Sequence, residues 1–239
     1  MRILACILAL HMLGCGSVES EPDDALRVLF VGNSLTYVND LPEVVRAMAR
    51  ADSDRPLVVR TVAFPNFSLE DHWRTGSAGA ELAGGRWDYV VMQQGPSSLA
   101  ENQEHLRTWS EKFADEARKS GTEPALFTVW PASEHWSSFP AVLESYSEAA
   151  SAIEGLLLPA GKAWLLAWEE DPSLELYGSD GFHPSELGTY LSALVIYGGL
   201  FDKSVRNVPP VLKIDDETFI QMPQATASIL KNAARQVLR

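Results

Sequence analysis

Three residues at two distant places in the chain have the types and spacing for nucleophilic acyl transfer. Ser34 follows an apolar run, Val28-Leu29-Phe30-Val31, that closes on Gly32-Asn33. Gly and Asn tolerate positive φ best, so the run reads as a buried strand ending in a tight turn that presents the serine. A serine hydroxyl is a weak nucleophile until a base takes its proton, and the base works best when a carboxylate holds its tautomer. Asp180 and His183 could supply both from one loop, because Asp-x-x-His in the glycine-punctuated stretch 176–184 carries orienter and base together, just before Pro184. Taken singly, Ser34 reads equally well as a helix cap, and Asp180 with His183 as a solvated loop pair.

The elements that must position these residues alternate regularly. Strands are expected at 25–31, 57–63, 87–92, 123–130 and 156–158. Helices are expected at 40–51, 69–75, 102–120, 139–153, 162–170 and 185–198, the first with Asp40 as N-cap and Pro42 in its opening turn. A Gly/Ala-rich connection fills 76–85, and a tail from 201 ends in a helix at 224–238 that packs on the body. This alternation predicts a parallel sheet with helices on both faces. Ligands of such sheets bind at the carboxyl ends of the strands, which is where Ser34 stands.

Composition bounds the remaining possibilities. The 239 residues are 46% hydrophobic and 21% charged, enough for one domain with a sizeable core. Residues 1–14 give one positive charge, a short apolar core and then small residues before Cys15, the pattern of an export signal. Leu13-Gly14-Cys15 resembles the end of a bacterial lipoprotein signal, so Cys15 is the expected lipidation site and residues 15–24 an acidic tether to a domain spanning 25–239. The expected location is therefore periplasmic or at the outer membrane or cell surface, with the lipid anchor as the sole membrane contact. Cleavage would remove Cys6, leaving no thiol for a disulfide or a cysteine nucleophile. A formal charge of −13 and the lack of any Lys/Arg cluster argue against nucleic acid as a partner. No His-x-His, His-Glu-x-x-His or calcium-loop spacing occurs, so neither metal nor cofactor is expected.

Gly32-Asn33-Ser34-Leu35 near the amino end and Asp180-Gly181-Phe182-His183-Pro184 near the carboxyl end together resemble the first and last blocks of the SGNH (GDSL-type) hydrolases. The resemblance spans nearly all of the mature domain and departs from the family pattern at Asn33, where the family has aspartate. It implies a three-layer α/β/α, flavodoxin-like fold with a five-stranded parallel sheet, Ser34 as nucleophile, His183 as base and Asp180 as orienter. It also implies an oxyanion hole built from the Ser34 N–H, a glycine N–H after the second strand and an asparagine side chain after the third. Here Asn66 stands at the glycine position. The asparagine is missing from Gly95-Pro96-Ser97-Ser98, and Gln94 carries the same amide on a longer arm, with Ser97 as competitor.

Asn33, Ser97, Trp130, His135 and Phe182 are expected to line the substrate cleft, with Trp130, Trp136 and Phe182 as a possible aromatic platform for sugar rings. Ser68 and His72, four apart, read as surface or pocket-wall residues, and His105 as solvated on a polar helix face. The reading is a serine esterase acting on a small-molecule or glycan ester, plausibly an O-acetyl group on a carbohydrate. An O-acyltransferase with the same triad, or a catalytically weak glycan-binding lipoprotein, are the alternatives. Transfer to a sugar acceptor and fluorophosphonate labelling separate them.

Overall fold

The computed structural model describes residues 22–215 and 219–238; the expected export signal, Cys15 and most of the expected tether lie outside them. Five strands form one parallel sheet: β1 (Leu26–Gly32), β2 (Leu57–Ala63), β3 (Tyr89–Met92), β4 (Glu123–Phe127) and β5 (Leu156–Leu158), in the order β2-β1-β3-β4-β5. β1 is an interior strand, and Val28, Leu29, Phe30 and Val31 are all fully buried. That explains the uninterrupted apolar run, since a strand covered on both faces has no solvent side on which to alternate. β2 is one of the two edge strands, and it exposes Arg60 and Thr61.

Two helical layers cover the sheet. On one side α2 (Leu41–Asp52), α7 (Ala160–Glu170), α8 (Glu186–Leu200) and α9 (Gln224–Val237) pack together. On the other lie α3 (Leu69–Thr75), α4 (Ser77–Gly84), α5 (Ala100–Lys119) and α6 (Phe139–Ala152). A single four-residue helix, α1 (Ser34–Tyr37), carries the serine. One continuous apolar core runs from β1 through α9, so the carboxyl-terminal tail is part of the body. Lys231 of α9 donates to the carbonyls of Arg206 and Val208 and pins that tail in place. Among the described residues no helix is long and apolar enough to cross a membrane.

Three local expectations are corrected. Residues 76–85 are not a plain connection: they hold α4, whose Ala78 and Leu82 enter the core. The tail contains an antiparallel pair, β6 (Val211–Lys213) with β7 (Phe219–Gln221), that three-residue strands do not announce in sequence. Asp40 occupies the N-cap position of α2 but at φ 50°, and its carboxylate makes no cap hydrogen bond; Pro42 sits in the first turn as expected.

Candidate active site

Ser34, Asn66 and Gln94 follow the carboxyl ends of β1, β2 and β3, and Asp180 and His183 lie in the loop before α8. The strand order changes direction beside β1, with β2 on one side and β3 on the other, and such a switch point leaves a crevice. A cavity of about 390 Å³ occupies it, and Asn33, Ser34, Asn66, Gln94, His105 and Phe182 are among the residues in its wall.

The serine turn is locked from below. The Asn33 side chain accepts from Leu35 N–H at 3.1 Å and donates to the Phe67 carbonyl at 3.1 Å. The Gln93 amide donates both to Asn33 at 2.8 Å and to Thr36 Oγ1 at 2.9 Å. Asn33 is thus the helix cap and Ser34 is not, which settles the local ambiguity in the sequence. Under the turn the Gly32 carbonyl accepts from His72 Nε2 at 2.7 Å. His72 is fully buried, which corrects the pocket-wall reading, and burial holds its pKa below the usual histidine value. The Ser34 hydroxyl lines the cavity without a side-chain hydrogen bond to any described residue.

The second loop is built around one carboxylate. Oδ1 of Asp180 accepts from the backbone N–H groups of Phe182 and His183, both at 2.9 Å, while Oδ2 accepts from His183 Nδ1 at 2.5 Å. One oxygen therefore shapes the loop and the other orients the ring, leaving Nε2 as the free, basic nitrogen. The imidazole hydrogen bond, followed by those from the backbone, holds the Asp180 carboxyl down to a pKa of about 2. The loop is closed by a bridge between Tyr177 and Pro184, and Gly181 turns it at φ +68°, where a side chain would also strike Ser133 Oγ. Asn39, just past α1, donates to the Pro184 carbonyl at 2.9 Å and so ties this loop to the serine segment. Phe182 lines the same cavity as Ser34.

The expected oxyanion donors also converge here. Asn66 takes φ +61°, the left-handed conformation that a glycine would adopt, and lines the cavity. Gln94 is buried, and its amide nitrogen donates to Ser97 Oγ at 3.0 Å. Its backbone N–H and C=O are both held by the fully buried Tyr146 hydroxyl, at 3.1 and 2.6 Å.

Other expectations are corrected. Trp130 does not reach the cleft: it is fully buried, stacked on Trp164 with ring centres 3.7 Å apart, and its indole N–H props the Phe182 carbonyl from beneath. His135 is exposed beside Glu134 and is not part of the cavity wall. Trp136 packs on Phe139 and Trp168 in a separate groove, so the three aromatics form no common platform. His105 was expected in solvent; instead it enters the cavity wall, hydrogen-bonded to Gln94 and to Glu70. Nothing in the sequence places Glu70 and His105 together, because they meet only once α3 packs along α5. Among the described residues no group of three or more His, Cys, Asp or Glu side chains is arranged to hold a metal ion.

No family model matches this chain, and no curated protein does. Solved structures do. A protein assigned to the SGNH hydrolases from Slackia heliotrinireducens is 26% identical with a TM-score of 0.64, over 74% of this chain and 99% of its own. A DUF4886 family protein from Bacteroides uniformis aligns over 90% of this chain and 95% of its own, with a TM-score of 0.74 and 16% identity. An acetyl-xylooligosaccharide esterase from Geobacillus shares 15% identity with a TM-score of 0.59, over 77% and 99% of the two chains.

Proposed function

We propose that this chain, which has the SGNH hydrolase fold, is a serine esterase that removes short acyl groups, in particular O-acetyl groups on carbohydrate. The observation that carries this reading is the His183–Asp180 dyad, held at 2.5 Å on a loop tied by Asn39 to the Ser34 turn. Ser34 Oγ attacks the ester carbonyl and gives its proton to His183 Nε2. The tetrahedral oxyanion is met by the Ser34 and Asn66 N–H groups and the Gln94 amide, each such donor accounting for roughly 10²–10³ in rate. Collapse of the intermediate breaks the bond to the alcohol, which leaves with the proton from His183. Water then repeats the sequence on the acyl-enzyme, releasing the acid and restoring Ser34.

The cavity supports a short acyl group and a polar alcohol. At about 390 Å³ it is rimmed by Asn66, Ser68 and Asn102, hydrogen-bonding groups suited to hydroxyls and ill suited to a long alkyl chain. Export to an anchored position at Cys15 belongs to the same proposal, since polysaccharide esters lie outside the cytoplasm. The expected result is Ser34-dependent acetate release from acetylated xylo-oligosaccharides. On p-nitrophenyl esters, kcat/KM should fall by about tenfold or more from acetyl to octanoyl, as burying a longer chain would displace polar groups from their partners. A preference for octanoyl esters would contradict the substrate assignment.

A further inference from the structure

We infer that His105 and Glu70 form a second histidine–carboxylate pair whose work is to position and polarise Gln94, the amide that stands in for the missing asparagine of the oxyanion hole. The inference rests on the esterase reading above and extends it to the groups that hold Gln94 in place.

The direction of every hydrogen bond around Gln94 follows from one backbone group. The Leu69 N–H, at the start of α3, can only donate, and it points at Gln94 Oε1 at 3.3 Å. The amide is therefore oriented with its oxygen toward Leu69 and its nitrogen toward Ser97 Oγ and the cavity. Since Oε1 is an acceptor, the His105 Nδ1 that faces it at 3.3 Å must donate. The other ring nitrogen meets Glu70 Oε2 at 3.0 Å, and it too donates, because Glu70 is ionised: the hydrogen bond from His105, and then that from Arg74, hold its carboxyl below the usual range. Both ring nitrogens thus face acceptors, one on Gln94 and one on Glu70.

Two donors pulling on Oε1 draw electron density from the amide and strengthen the N–H groups on the other end. One of those is taken by Ser97, and the second is left for an oxyanion. The Tyr146 hydroxyl clamps the Gln94 backbone, so the amide is fixed at both ends before substrate arrives. Preorganisation of this kind is what makes an oxyanion donor effective, and a longer, more flexible glutamine needs it where an asparagine would not. Trp109 lies 6.1 Å from the His105 ring; Lys112 sits over Trp109 and does not take the place of Glu70.

The test is a double-mutant cycle on the whole chain with p-nitrophenyl acetate. His105→Ala should lower kcat by about ten- to a hundredfold while KM stays within about twofold, the signature of a mispositioned transition-state group. In a Gln94→Ala background the same change should alter kcat by less than about twofold, because its route of action is gone. His105→Asn, whose amide nitrogen can replace Nδ1–H, should recover several-fold over His105→Ala. Equal losses in both backgrounds, or no loss, would overturn the inference. Should Gln94→Ala fail to fold, His105→Asn no better than His105→Ala has the same effect. Ser34→Ala separates the two levels: if it keeps full activity the esterase reading falls and this pairing with it, whereas an inactive Ser34→Ala with unaffected His105 variants removes the pairing alone.

Discussion

Asp180→Asn is expected to lower kcat by about 10³–10⁴-fold with little change in KM or in folding. The asparagine can keep its oxygen on the Phe182 and His183 N–H groups, so the loop survives. Its NH₂ would then face His183 Nδ1, which must become an acceptor. The ring proton moves to Nε2, and the base is lost without moving a heavy atom. The wild-type pH profile carries a related expectation. With its pKa held at about 2 by the imidazole and two backbone donors, Asp180 is ionised across the working range. A depressed carboxyl contributes its effect above its unfolded value and loses it only as pH falls through the folded one, so Asp180 should produce no step in kcat/KM between about pH 3 and 5. A variant keeping more than a tenth of wild-type kcat would contradict the role of orienter.

Gly32→Ala is expected to destabilise the fold at the serine turn itself. A Cβ at that position would lie 2.3 Å from Thr36 Oγ1 and 2.7 Å from Gln93 Nε2, both buried and hydrogen-bonded to each other. Neither can withdraw into free space: Gln93 also holds Asn33, the cap of the helix that carries Ser34. Overpacking costs about 1–3 kcal/mol, and a buried polar group stripped of its partner about 1–3 more. A total of roughly 2–6 kcal/mol is a large share of the 5–15 kcal/mol typical of a domain. In urea the midpoint should drop by about 1 M or more, with activity lost even where the chain stays folded. An unchanged midpoint would show that the turn is looser than its packing implies.

The same turn shows why part of the site was legible in sequence. An unbroken apolar run reads as a doubly covered strand, and β2 was found at its observed bounds because β-branched residues, Pro56 before it and Phe64-Pro65-Asn66 after it mark both ends. Asp180 and His183 were legible because three residues of separation make their contact a local matter. Asn66 was legible only through the resemblance, which puts it where the family has glycine; its φ of +61° fits that position. What escaped is what depends on which elements pack side by side. His105 looks solvated on its own helix; only the crossing of α3 brings Glu70 to it. The apolar run 123–130 extends the fourth strand to Trp130 and so toward the cleft, whereas β4 ends at Phe127 and the indole turns inward to stack on Trp164. α4 was hidden by its glycines: Gly76 and Gly85 are its caps, and the low helix propensity of Gly79 and Gly84 is overridden once Ala78 and Leu82 are buried.

The central claim is that Ser34 is an activated nucleophile served by His183 and Asp180. The most direct measurement is labelling with a fluorophosphonate followed by peptide mapping. The expected outcome is a single adduct on the peptide that contains Ser34, absent from Ser34→Ala and formed far more slowly by Asp180→Asn. Intact wild-type protein left unlabelled while a control esterase reacts, or Ser34→Ala labelled as fast as wild type, would contradict it.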